Sequence, residues 1–207
     1  MKLFGSYRSP FVRRVAITMN VFGMPFEHMD VPVFDKPDEI NVHNPLTRVP
    51  TLVLDDGEVL IESYAMLDAL DDMVGPEKAL FPASGAERRH VMRIAAAAVG
   101  TMDKAQWAAY ETRFHPKEKV HRPWIDHNDN SVKGGLEFLN GLAAEAGESG
   151  WLAGGDSLTQ ADISGVVAYG FAGLARPKMG VAEAYPALAA FAARMEVTAP
   201  FKASPLP

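Results

Sequence analysis

The chain has 207 residues, 48% hydrophobic and 22% charged; this is an ordinary globular composition, enough for one large domain or two small ones. It excludes a disordered tail, a fibrous repeat and a disulfide scaffold, and the absence of cysteine excludes disulfides, thiolate metal sites and a cysteine nucleophile. The net charge of -6 runs against a general nucleic-acid or anionic-membrane binder, and the acidic excess lies in residues 1–80, which hold 7 Lys/Arg against 13 Asp/Glu.

Lys2–Gly5 reads as a short strand. Ser9 has the character of a helix N-cap, and Pro10 stands at the first helical position, where the missing N–H costs nothing. Phe11, Val12, Val15, Ala16 and Met19 follow at helical spacing, and Gly23 is a stop. Phe26–Val33 predicts a second strand, and the polar stretch 35–48 a loop with room for one helical turn. Thr51–Leu54 and Val59–Ile61 flank Asp55-Asp56-Gly57-Glu58, a hairpin signal. Ser63 then caps a helix running to about Met73.

Strand, helix, strand, loop, hairpin, helix is the order of a small mixed sheet with helices against it. Composition shifts near residue 80, and 75–85, rich in turn formers, reads as a linker. The two predicted domains are 1–78 and 86–207. The second is all helical: 86–114, 125–146, 159–174 and 182–197, with Val91, Ile94, Ala95, Ala98 and Met102 facing inward on the first of these. No window approaches 18 apolar residues and no leader pattern opens the chain, so a cytoplasmic protein is expected.

Several residues carry candidate chemistry. A hydroxyl at a helix N-terminus, as at Ser9, can stabilise an anion or simply cap its own helix; Ser6 and Tyr7 are rivals for the first role. Val49-Pro50 is a cis X–Pro step or an ordinary proline at a strand start. Ser63 offers a carboxylate site at a helix N-terminus, with Glu62 beside it, or is only a cap. Lys36, Arg48 and Arg13 are candidate anion contacts or plain charges, Arg13 with the further option of pairing in its helix or with the second domain. Thr159 and Asp162 have capping-box spacing, with Leu158 and Ile163 placed as a hydrophobic staple, so their role is in folding. His115, His121 and His127 recur every six residues, an interval that suits no common metal pattern, and no metal site is expected.

"SPFVRRV" (9–15), "NPLTRVPTL" (44–52), "ESYAML" (62–67) and "SLTQADIS" (157–164), in this order, resemble motifs of the soluble glutathione transferase superfamily, the first in its serine-type, Tau-like form; the tail 185–201 is similar to that family's last helix. The resemblance covers nearly the whole chain. It implies a thioredoxin-like N-terminal domain with a mixed four-stranded sheet, an all-helical C-terminal domain and a homodimer. It implies glutathione as co-substrate, without a metal, and transfer of its thiolate to a hydrophobic electrophile, a detoxification chemistry. Ser9 would then stabilise the thiolate, with Tyr7 the rival. Val49 beside a cis Pro50 would pair with the cysteinyl backbone, Glu62 and Ser63 would hold the γ-glutamyl end, and Arg48 or Lys36 the glycine carboxylate. Phe11, Met102, Trp107 and Tyr110, with Phe114, would line a second-substrate pocket, a core or interface role standing as the alternative for those on the long helix. Glutathione-dependent isomerisation, dehalogenation, and a non-catalytic binding role remain open on the same fold.

Overall fold

A computed structural model describes all 207 residues, and the chain divides into two compact units. The first comprises Met1–Ala83 together with Val197–Pro207, the second Ser84–Glu196. The expected boundary is corrected at the C-terminal end: the last eleven residues pack with the first unit, not with the helical one.

In the first unit the order is β1 (Lys2–Phe4), α1 (Pro10–Phe22), β2 (Glu27–Met29), α2 (Pro37–Asn41), β3 (Thr51–Val53), β4 (Val59–Ile61) and α3 (Ser63–Val74), with α9 (Ala199–Lys202) from the C-terminal segment. The four strands form one sheet in the order β2-β1-β3-β4, with β1 and β2 parallel and the other pairs antiparallel. This is the thioredoxin-like mixed sheet. Side chains alternate across it. Leu3 and Leu52, paired in register and fully buried, share one face. Phe4 takes the other, where it clusters with Val31 and Ile40.

The strand expected over 26–33 is only three residues long. Pro32 cannot donate to a ladder, and the Val31 N–H already turns back to the Met29 carbonyl at 2.8 Å. α1 begins with Ser9 as its cap and Pro10 inside, and it closes at Gly23 (φ 66°). Ten of its thirteen residues are buried, Arg13 and Arg14 among them. α3 starts one residue differently from expectation: Glu62 occupies the cap position, at φ 64°, and Ser63 is the first helical residue. Asp71 of α3 anchors the linker by accepting the Leu80 and Phe81 N–H groups, each at 2.9 Å.

The C-terminal segment is fixed to α1. The Arg13 Nε donates to the Ser204 carbonyl at 2.8 Å, and the Asn20 amide donates to Ser204 Oγ at 3.0 Å and to the Pro200 carbonyl at 3.2 Å.

The second unit is helical: α4 (Gly85–Phe114), α5 (Arg122–Ala146), α6 (Gln160–Ala175), α7 (Val181–Ala184) and α8 (Pro186–Glu196). The helix expected over 182–197 is split, because Pro186 lacks an N–H and pushes Tyr185 out of helical backbone (φ −131°, ψ 66°). α6 is buried along most of its length and opens with the capping box. The Asp162 carboxylate accepts the Thr159 N–H at 2.8 Å, the Thr159 hydroxyl at 2.9 Å and the Leu152 N–H at 2.7 Å. Burial pushes that carboxyl above the usual aspartate range, and these hydrogen bonds pull it part of the way back. No helix is long and apolar enough to cross a membrane.

Candidate active site

The sheet register brings the three site segments together. Phe4 pairs with Thr51, and Thr51 with Ile61. The loop after Phe4, the loop before Thr51 and the turn after Ile61 therefore leave the sheet at one end of its strands. They carry Gly5–Ser9, Arg48–Pro50 and Glu62–Ser63.

In the first loop the Ser9 N–H donates to the Ser6 carbonyl at 2.9 Å, and Ser9 Oγ accepts from the Val12 N–H at a long 3.5 Å. Accepting with one lone pair leaves the hydroxyl hydrogen to donate elsewhere, so a cap and an anion contact are compatible at this residue. Pro10 contributes no N–H, and Ser9 itself is partly exposed. Ser6 Oγ accepts only a 3.4 Å contact from the Arg8 N–H. Tyr7 is occupied differently. Its ring stacks on His28 with centroids 3.9 Å apart, and the His28 Nε2 lies 2.7 Å from the Gly5 carbonyl. Burial raises the Tyr7 phenol above its ordinary acidity range, a hydrogen bond with Ser204 counteracts this, and Asp30 adds to the rise.

The second loop is built on Asn44, which is almost completely buried. Its amide donates to the Arg48 carbonyl at 2.9 Å and to Thr51 Oγ1 at 3.0 Å, and its carbonyl accepts the Leu46 N–H at 3.0 Å. The Val49-Pro50 bond is cis, and no hydrogen bond within the chain engages the Val49 N–H or carbonyl. This loop sits against the first: a Cβ on Gly5 would lie 2.7 Å from the Val49 Cβ.

Comparison with known proteins now bears on this geometry. Residues 3–78 match the model of the glutathione S-transferase N-terminal domain. The chain is 36% identical to the uncharacterized GST-like protein YibF of Escherichia coli over 70% of this chain and 71% of the relative. It is 30% identical to a maleylacetoacetate isomerase of Pseudomonas aeruginosa over 74% and 73% of the two chains. A crystal structure of a glutathione S-transferase from Methylobacillus flagellatus with glutathione bound superposes with a TM-score of 0.88 at 29% identity, covering 98% of each chain. The chain belongs to the glutathione transferase family.

Arg48 and Glu62, expected as separate ligand contacts, meet each other. The Arg48 Nη1 donates to Glu62 Oε1 at 2.9 Å, with both side chains about half exposed. Lys36 pairs with Glu39 at 2.8 Å on the surface, and this hydrogen bond and charge raise its pKa. Arg13 is fully buried and bound to Ser204, so it is no surface anion contact.

Of the apolar residues expected around a second substrate or in the core, Met102 takes the core position. It is fully buried in the helical unit, on the inward stripe with Ala95, Ala98 and Ala105. Phe11 is also buried, in the first unit. Trp107 is 53% exposed and meets Tyr110 edge-on at 6.3 Å, and Tyr110 meets Phe114 at 5.1 Å, an aromatic ladder on α4. The three spaced histidines do not form one site: His115 contacts Glu111 at 3.3 Å and His127 stacks on Trp124 at 5.5 Å.

One residue escaped the sequence reading. Arg14 is completely buried, and its Nη1 donates to Ser63 Oγ at 3.3 Å. The signal available was two adjacent arginines inside a helix whose other side chains are nearly all apolar.

Proposed function

We propose that this chain is a glutathione-dependent transferase. Glutathione lies across the strand ends with its cysteinyl backbone against the Val49 N–H and carbonyl, paired as a short strand would be. The γ-glutamyl carboxylate meets the start of α3 at Ser63, where helix N–H groups and partial positive charge favour an anion. Glu62 accepts from the α-ammonium group while keeping Arg48 close to the ligand. The thiol comes to the Ser9 hydroxyl at the start of α1.

A free thiol has a pKa near ~8.5, so only a small fraction is thiolate at neutral pH. Ser9 is a donor, not a base: it stabilises the anion after the proton has left. Lowering the thiol pKa by about two units corresponds to roughly 2.7 kcal/mol of stabilisation. The thiolate then forms a bond to an electrophilic carbon, and the displaced group leaves with the electron pair. Proximity supplies the rest of the acceleration.

The observation that carries this reading is the register that brings the segments of Ser9, Val49 and Glu62–Ser63 to one end of the sheet in a member of this family. Glutathione-dependent isomerisation is the second reading, favoured by the isomerase relative; the same thiolate adds to a carbon–carbon double bond and is later expelled. Titrating the protein with glutathione, then following glutathione during turnover of an electrophile panel, separates the readings. Conjugation consumes glutathione one-for-one with product, whereas isomerisation returns it. Binding without turnover on any electrophile would make the protein a binding module instead.

A further inference from the structure

Ser9 can meet a thiol only if the loop between β1 and α1 holds its course, and one side chain of β2 grips that loop twice. His28 stands opposite Leu3 in the parallel β1–β2 pair, so its ring lies on the Leu3 face of the sheet. Its Nε2 is 2.7 Å from the Gly5 carbonyl oxygen. Its ring lies parallel to that of Tyr7, with centroids 3.9 Å apart and 1° between the planes. A histidine that merely filled space on the edge strand would need neither contact.

The first contact fixes a proton. A carbonyl oxygen only accepts, so the His28 Nε2 carries a hydrogen and donates it. This bond closes on the residue where the loop leaves the strand: the Gly5 N–H donates to the Met29 carbonyl at 2.9 Å. β2 thus holds Gly5 on both sides, its backbone taking the N–H and its side chain the carbonyl. Fixing that carbonyl fixes the plane of the Gly5–Ser6 peptide. The Ser6 carbonyl accepts the Ser9 N–H at 2.9 Å, so Ser6 alone separates the peptide that His28 holds from the hydrogen bond that sets Ser9. The stack pins Tyr7 inside the same turn.

We propose that His28 is a positioning residue for thiol activation: through the Gly5 carbonyl and the Tyr7 ring it sets the Ser6–Ser9 turn, and with it the direction of the Ser9 hydroxyl. This rests on the reading in which Ser9 stabilises the glutathione thiolate. Two substitutions separate the two contacts. His28→Gln keeps an N–H near the place of Nε2 and gives up the ring. His28→Phe keeps a flat ring over Tyr7 and gives up the donor.

The test is the pH midpoint of the bound glutathione thiolate, read by ultraviolet absorbance on the intact chain, beside glutathione affinity by titration calorimetry. His28→Phe should raise the midpoint by about 0.5–1 pH unit, the scale of one neutral hydrogen bond, and leave affinity within about twofold of wild type. His28→Gln should recover at least half of that rise. In a Ser9→Ala background His28→Phe should move the midpoint by less than about 0.2 unit, because residues acting as a unit are not additive. An unmoved midpoint in His28→Phe, no recovery in His28→Gln, or an equal rise in the Ser9→Ala background would overturn the proposal. If His28→Phe does not fold, the wild type and His28→Gln decide: ring-nitrogen NMR shifts that place the His28 hydrogen on Nδ1 alone, or a His28→Gln midpoint as high as that of Ser9→Ala, overturn it. A midpoint that Ser9→Ala does not move overturns the Ser9 reading and this proposal together; one moved by Ser9→Ala but not by His28→Phe overturns this proposal alone.

Discussion

Gly5→Ala tests how this end of the sheet is assembled. Gly5 has φ 118°, a region that side chains rarely adopt, and an added Cβ would lie 2.7 Å from Val12 Cγ2 and 2.7 Å from Val49 Cβ. The backbone cost is about 1–3 kcal/mol. The overpacking cost is again about 1–3 kcal/mol, since Val12 is fully buried in α1 and Val49 packs on the Phe4 cluster. A combined loss of about 3 kcal/mol lowers the melting temperature by roughly 6–12 °C for a chain of this size. Val49 must also shift, so glutathione affinity falls in the fraction that stays folded. Gly57→Ala at the hairpin turn is the control: φ is 92°, but a Cβ there meets nothing within 4 Å. It carries the backbone cost without the clash and leaves affinity unchanged. Melting curves and calorimetric titration of both variants read the two effects. Equal destabilisation of the two, with glutathione affinity intact in Gly5→Ala, would refute the close-approach argument.

Ser63→Ala should weaken glutathione by roughly ten- to a hundredfold, the cost of a hydrogen bond to a charged group, and should also lower the melting temperature, because it takes from the buried Arg14 the acceptor of its Nη1. Asp162→Ala leaves the Leu152 and Thr159 N–H groups without their acceptor and should destabilise by about 1–3 kcal/mol, while glutathione affinity of the folded protein holds; a normal melting temperature with lost binding would reverse that assignment. Because the Asp162 carboxyl titrates above its ordinary value, the folded chain holds this proton at pH values where the unfolded chain has released it. Stability from this group therefore falls as pH rises from the ordinary aspartate value, about 3.9, to the raised one, and Asp162→Asn should lose that slope in denaturation measured across acidic pH.

Local signals in the sequence read correctly where the physics is local. Pro10 and Gly23 bound α1, Asp55-Asp56-Gly57 makes the hairpin turn, Thr159 and Asp162 form the capping box, and Val49-Pro50 is cis. What escaped depends on distant packing. Nothing near Val197 announces that the last residues return to α1; that follows from Ser204 meeting Arg13 and Asn20, over 180 residues away in sequence. The same packing buries Arg13, whose partner local reading leaves open. Arg14 is hidden by the same helix, which is buried nearly all round, so helical periodicity finds no solvent face on which to place its charges. Met102 was legible: it shares the inward stripe of α4 with Ala98 and Ala105, so a pocket role competed with its own spacing. The Arg48–Glu62 pair was not, because it joins two loops that only the β3–β4 hairpin brings together.

The central claim is that Ser9 stabilises a glutathione thiolate at the start of α1. Its most direct test is the ultraviolet absorbance of the bound thiolate, titrated with pH in the wild type, Ser9→Ala and Tyr7→Phe. The account predicts a wild-type midpoint well below the free-thiol value of about 8.5, a shift to higher pH in Ser9→Ala with glutathione affinity nearly kept, and turnover reduced about ten- to a hundredfold. Tyr7→Phe should leave the midpoint in place, because its ring is held in a stack on His28. A curve unmoved by Ser9→Ala but shifted by Tyr7→Phe would contradict the account and make Tyr7 the activating residue.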